Sequence, residues 1–141
     1  MAYRRNFKRV KGSKYKNRKC EYDGKSFDSQ KERDRYIFLK QAESEGLISN
    51  LELQVKYELI PAVREDYVVH LKTKDKIQQR TLQLAITYTC DFQYIKDGAL
   101  VVEDVKSSPL MLTKEYQLKK KMLFALKGIK INEIYQPNES I

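Results

Sequence analysis

The residues best suited to chemistry lie in one segment, Tyr88-Thr-Cys-Asp91-Phe-Gln-Tyr-Ile-Lys-Asp-Gly-Ala-Leu-Val-Val-Glu103-Asp104-Val105-Lys106. Asp97-Gly98, flanked by alternating apolar residues, predicts a tight β-hairpin. In a symmetric hairpin about that turn Ile95 faces Leu100, Phe92 faces Glu103 and Asp91 faces Asp104. Facing residues hold their Cβ atoms roughly 5 Å apart on one sheet face. Two carboxylates there repel, which no sheet adopts for stability. Lys106, two residues past Asp104, projects from the same face. The trio is a divalent-cation site with an ammonium beside it. Glu103 points the other way, so the acid-x-Lys unit is Asp104-Val105-Lys106. An isolated acid-x-Lys is common on solvated strand ends; the aspartate opposite gives this one its meaning.

The elements that must position these residues follow from local signals. Residues 19–27 read as a small hairpin turning at Asp23-Gly24. Ser29-Gln-Lys-Glu32 is a capping box opening a helix to about Glu45, with Gly46 as its stop. Tyr36, Ile37, Phe38 and Leu39 form its apolar side and Lys31, Arg33, Asp34 and Arg35 a charged face. Leu51 to Leu59 alternates as one strand ended by Pro61, and residues 66–72 read as another. The polar stretch 73–79 reads as a loop before a long strand from Arg80 to Ile95. Thr113 caps a second helix to about Lys127, closed by Gly128, with Leu118, Met122 and Leu126 inward; Ile129 to Tyr135 is a last strand. Helix, three or four strands, helix, strand is an α/β layer fold with a mixed sheet.

Charge divides the chain in two. Nine of its 28 basic residues fall in the first twenty positions, with no acid, while the other 19 balance 19 acids. Nearly all of the net +9 therefore sits on an N-terminal arm (1–18), which leaves a near-neutral domain (19–141). Arg4, Arg5, Lys8, Arg9, Lys11 and Lys14 are candidates for nucleic-acid phosphates; the plainer role is a solubilising tail. Lys119-Lys120-Lys121 on the second helix is either a further DNA contact or a solvated face. One histidine, His70, and two distant cysteines, Cys20 and Cys90, exclude zinc fingers, paired-histidine nucleases and a disulfide framework. GxxxxGK[ST], GxGxxG and GxSxG motifs are absent. Without an apolar run of membrane length, the chain reads as soluble, cytoplasmic and free of membrane partners.

The basic arm, Glu32 in Phe27-Asp-Ser-Gln-Lys-Glu-Arg, Leu53-Gln54-x-Lys56-Tyr57-Glu58-Leu59, Thr89-Cys-Asp91-Phe92, Val102-Glu-Asp104-Val-Lys106 and the lysine-rich helix occur in a suggestive order. Together they resemble the small phage-encoded nucleases of the PD-(D/E)XK superfamily, relatives of archaeal-type Holliday junction resolvases. The resemblance runs from about Tyr15 to Tyr135. It implies a restriction-endonuclease-like α-β-β-β-α-β core and Mg²⁺-dependent phosphodiester hydrolysis, with Mn²⁺ substituting. Asp91 and Asp104 hold the metal in that reading, Lys106 orients or activates the water, and Glu32 completes the metal shell. The capping box already gives Glu32 a structural task. Gln54, on the polar side of its strand, is a candidate to meet DNA or the water.

The expectation is a structure-specific DNA endonuclease, foremost a homodimeric Holliday junction resolvase acting on four-way or branched DNA in the cytoplasm of a bacterial host. A nicking or flap nuclease of phage DNA processing, and a non-catalytic nucleic-acid-binding module, are the alternatives. Opposed Asp91 and Asp104 weigh against the last, because buried anions facing a phosphate backbone weaken pure binding.

Overall fold

Residues 18–141 are described by the structure, a computed structural model. The arm positions Arg4, Arg5, Lys8, Arg9, Lys11 and Lys14 lie outside the described residues. A hairpin of β1 (Cys20–Tyr22) and β2 (Lys25–Phe27) leads into α1 (Gln30–Ser44). Strands β3 (Ser49–Leu53), β4 (Lys56–Ile60), β5 (Val63–His70), β6 (Asp75–Gln83), β7 (Ile86–Thr89), β8 (Phe92–Lys96) and β9 (Ala99–Val105) follow. A 3₁₀ turn (Pro109–Met111), α2 (Lys114–Lys127) and β10 (Ile131–Ile134) complete the chain. The result is a mixed α/β fold.

Its centre is a four-stranded sheet in the order β10-β9-β8-β3. Neighbours β3, β8 and β9 run antiparallel, whereas β10 lies parallel to β9 because the chain crosses over through α2. The two helices flank the sheet. Phe92, Tyr94 and Glu103 share the face under α1, where Tyr36, Leu39 and Ala42 join the core. Val102 and Ile131 share the opposite face with Tyr116 and Leu123 of α2. Among the described residues no helix is long and apolar enough to cross a membrane.

Local signals set the element ends as expected. Ser29 Oγ accepts from Glu32 N at 3.2 Å, and Thr113 Oγ1 caps α2 through Tyr116 N at 3.1 Å. Asp97 and Gly98 both have positive φ, +50° and +77°, as the two-residue turn of a twisted hairpin demands. The register is the expected one: Phe92 pairs with Glu103 and Ile95 with Leu100.

Five expectations are corrected. The strand anticipated over 51–59 is two strands, because Gln54 takes a left-handed conformation (φ +54°) and bends the chain from β3 into β4. The strand anticipated over 80–95 breaks opposite that bend, giving β6, β7 and β8. The two bends stay stitched: Gln54 N donates to Asp91 O at 3.0 Å and Cys90 N to Val55 O at 2.9 Å. Residues 75–79 are not loop but strand, paired along β5, which supplies the backbone partners that local polarity does not reveal. On α1, Arg35 belongs to the core rather than to a charged face, at 0% exposure. On α2, Tyr116 and Leu123 point inward while Leu118 and Leu126 are exposed, since the sheet meets the helix on the 116/123 side.

Candidate active site

Asp91 stands at the bend before β8, and Asp104 and Lys106 at the end of β9. The hairpin register brings them together on the α2 face, at the bottom of a cleft of about 450 Å³. Thr87 and Tyr88 of β7 form one wall, Tyr116 and Lys119 of α2 another. Asp104 is 5% exposed.

Each carboxylate oxygen has a donor. Val105 N donates to Asp91 Oδ2 at 2.8 Å, and Gln54 Nε2 to Asp91 Oδ1 at 3.3 Å. Tyr88 OH donates to Asp104 Oδ2 at 2.7 Å, and Lys106 Nζ lies 3.0 Å from Asp104 Oδ1. Lys106 Nζ also sits 3.9 Å from the centre of the Tyr116 ring, so its position is held from two sides. Lys31, from the first turn of α1, donates to Lys106 O at 3.3 Å.

The electrostatics follow from this crowding. Burial first, then the facing Asp104 carboxylate, pushes Asp91 up to about 8. Near neutral pH the bare pair therefore retains a proton. Burial likewise pushes the Tyr88 and Tyr116 hydroxyls well above the usual phenol range, with the Asp104 charge adding to it. Both stay neutral donors. Cys90, fully buried, is driven up to about 11 mainly by desolvation, so its thiol is no nucleophile.

The remaining candidates divide. Glu32 keeps its capping-box role: its oxygens accept from Ser29 Oγ at 3.1 Å and Asp28 N at 3.3 Å. It reaches the aspartates through its field, and burial raises its pKa. Among the described residues no three of His, Cys, Asp and Glu converge as a metal-holding group, so the centre is a carboxylate pair with Glu32 at longer range. Gln54 is brought in, because its bend aims the amide at Asp91. The three lysines of the run point in different directions, because successive helix positions lie ~100° apart. Lys119 borders the cleft and pairs with Glu115 at 2.8 Å, Lys120 pairs with Glu133 of β10, and Lys121 is exposed.

One family's model matches residues 12–136, nearly the whole chain. The chain belongs to the DUF1064 family of proteins of unknown function. No curated protein and no solved structure matches it. The matched span includes every residue of the cleft described above, from Lys31 to Lys119.

Two contributors to this centre escaped sequence reasoning. Tyr88 was legible only as an apolar strand position, although it is the residue two before Cys90 on the same strand face. Arg35 left a clearer trace: it lies four residues before Leu39 and seven before Ala42, on the stripe that becomes core. It sits behind the site, gripping Glu103, the residue next to Asp104.

Proposed function

We propose that this chain is a Mg²⁺-dependent DNA endonuclease of the PD-(D/E)XK type, acting on branched DNA as a Holliday junction resolvase. The observation that carries the reading is the facing Asp91–Asp104 pair, Asp104 buried and Asp91 half-buried, with Lys106 at 3.0 Å from Asp104. Supporting it, α1, β3, β8, β9, α2 and β10 follow one another in the order of a restriction-endonuclease-like core.

The donor set suits a hard cation. Asp91 and Asp104 offer charged oxygens, and each oxygen retains a free lone pair beside its single hydrogen bond. Asp91 and Asp104 would hold such a cation, which would offset their mutual repulsion and supply Lewis-acid polarisation of the scissile phosphate and a more acidic water. The chain's own groups do the rest. Val105 N–H and Gln54 hold Asp91, and the Tyr88 hydroxyl holds Asp104, so neither carboxylate must reorganise during reaction. Lys106 places a compact ammonium beside Asp104, where it donates to the attacking water or to a phosphate oxygen as negative charge builds. Lys119 and Lys31 add positive charge where the DNA backbone enters.

A four-way junction needs two symmetric cuts, which a two-fold homodimer provides. The test is incubation of the full chain with labelled four-way junction, flap and linear duplex, in Mg²⁺, in Mn²⁺ and in EDTA. Paired nicks in the junction, dependent on either metal, are expected. Metal-dependent cutting of flap alone indicates another DNA-processing nuclease, and binding without cutting in any metal overturns the reading.

A further inference from the structure

The longest hairpin among the described residues takes no part in the cleft. β5 and β6, eight and nine residues, pair with each other and, among the described residues, with no other strand. Every residue of β6 is exposed and none of β5 is buried. A two-stranded ribbon wetted on both faces is marginal by itself in water, so a surface that grips it in use has something to stabilise.

Its charges point to the chemistry of that surface. Within the ribbon Glu65 is ion-paired with Arg80, while Asp75 is hydrogen-bonded to the His70 ring at 2.8 Å and Asp66 to the Gln79 amide at 3.1 Å. Lys72, Lys74 and Lys76 at the tip are exposed and have no ion-pair partner among the described residues. Against the one acid at the tip, Asp75, these three lysines leave a net positive charge at the ribbon's far end. Its root is the cleft wall, because β6 runs through residues 84–85 into β7, whose Thr87 and Tyr88 line the site. From Thr87 back to Lys76 the strand contour is about 36 Å at ~3.3 Å per residue. That matches about one turn of B-form DNA, whose major groove admits a two-stranded ribbon.

We infer that the β5–β6 ribbon is a DNA-gripping arm, with Lys72, Lys74 and Lys76 contacting the phosphates of a duplex whose other end lies in the cleft. The inference rests on the reading of the cleft as acting on DNA.

The test is fluorescence anisotropy of the full chain with a labelled four-way junction in EDTA, where no cutting occurs, over a range of salt. Lys72→Gln/Lys74→Gln/Lys76→Gln is compared with the corresponding triple Arg variant. Expected is at least a roughly tenfold weaker affinity for the Gln triple and a log K against log salt slope smaller by up to about 2.7, at ~0.9 per lost contact. The Arg triple retains both. Equal affinity and slope for the Gln triple and the wild-type chain overturn the arm while leaving the cleft reading standing. A wild-type chain that binds no DNA overturns both. A Gln triple that binds normally but loses self-association in sedimentation assigns the ribbon to a second copy of the chain instead.

Discussion

Arg35 and Glu103 close a bidentate ion pair on the sheet face opposite the cleft, with Nε 2.9 Å from Oε2 and Nη2 2.5 Å from Oε1. Both side chains are essentially without solvent contact. Tyr94 OH adds a hydrogen bond to Glu103 at 2.6 Å, and Arg35 Nη1 reaches the carbonyls of Pro137 and Glu139 at 3.2 and 2.5 Å. One charged pair thus ties α1, β8, β9 and the C-terminal tail directly behind Asp104. Glu103→Gln leaves the guanidinium buried without its counter-charge, a change that costs about 3–5 kcal/mol. Thermal unfolding should show a drop of roughly 10 °C or more. Arg35→Met/Glu103→Leu should recover part of it, since removing both charges removes the stranded one. A Glu103→Gln protein as stable as wild type contradicts the pair's role.

Asp104→Asn tests the metal role directly. The amide keeps the shape and the Tyr88 contact but loses the charge. Junction cleavage in Mg²⁺ should fall below detection, while junction affinity in EDTA stays within a fewfold or tightens, because an anion has left the phosphate's path. Parallel loss of affinity and cleavage would falsify that assignment.

Lys106→Ala removes a donor held on two sides, by Asp104 and the Tyr116 ring. Single-turnover cleavage at saturating Mg²⁺ and enzyme should slow by about 10²–10³ with little change in DNA affinity. Lys106→Arg should rescue poorly, because a planar guanidinium does not fit a place shaped for an ammonium. A near wild-type rate for the alanine variant removes Lys106 from the mechanism.

Tyr88→Phe separates positioning from chemistry. Without its hydroxyl, Asp104 Oδ2 loses its only donor among the described residues. Cleavage should drop about 10–100-fold, and the Mg²⁺ concentration for half-maximal rate should rise. A rate loss that saturating Mg²⁺ does not reduce argues against a positioning role.

Stability should depend on pH in a defined sense. Asp91 has a folded-state pKa near 8 against an ordinary value of 3.8. Between these values the metal-free native state binds the proton that the unfolded chain has released, so stability falls as pH rises across that window. Divalent cation replaces the proton, and the stabilisation it brings should therefore grow with pH. Melting temperatures with Mg²⁺ and with EDTA should differ little near pH 5 and most near pH 8. A Mg²⁺ increment independent of pH shows that the cation does not compete with that proton.

Much of the site was legible because it rests on short-range rules. Asp97-Gly98 carries its own turn geometry, and strand alternation then dictates that Asp91, Asp104 and Lys106 share a face while Glu103 does not. Ser29, Thr113 and Gly128 marked helix ends through hydrogen bonds made within a few residues. These signals depend on backbone chemistry that neighbours in sequence supply.

What tertiary structure alone decided depends on competition among distant partners. Residues 51–59 alternate without interruption, yet the chain turns at Gln54, because β3 completes the central sheet beside β8 while β4 pairs with β7. That bend, and no motif, aims the Gln54 amide at Asp91. Arg35 reads as a surface charge until Glu103, 68 residues away, offers it a buried counter-ion. The α2 stripe was chosen by where Val102 and Ile131 present the sheet, which favours Tyr116 and Leu123 over the more apolar-looking Leu118 and Leu126. Local sequence determined which residues could meet; burial and pairing across the fold determined which of them did, because desolvation and sheet registry are properties of the whole packed chain.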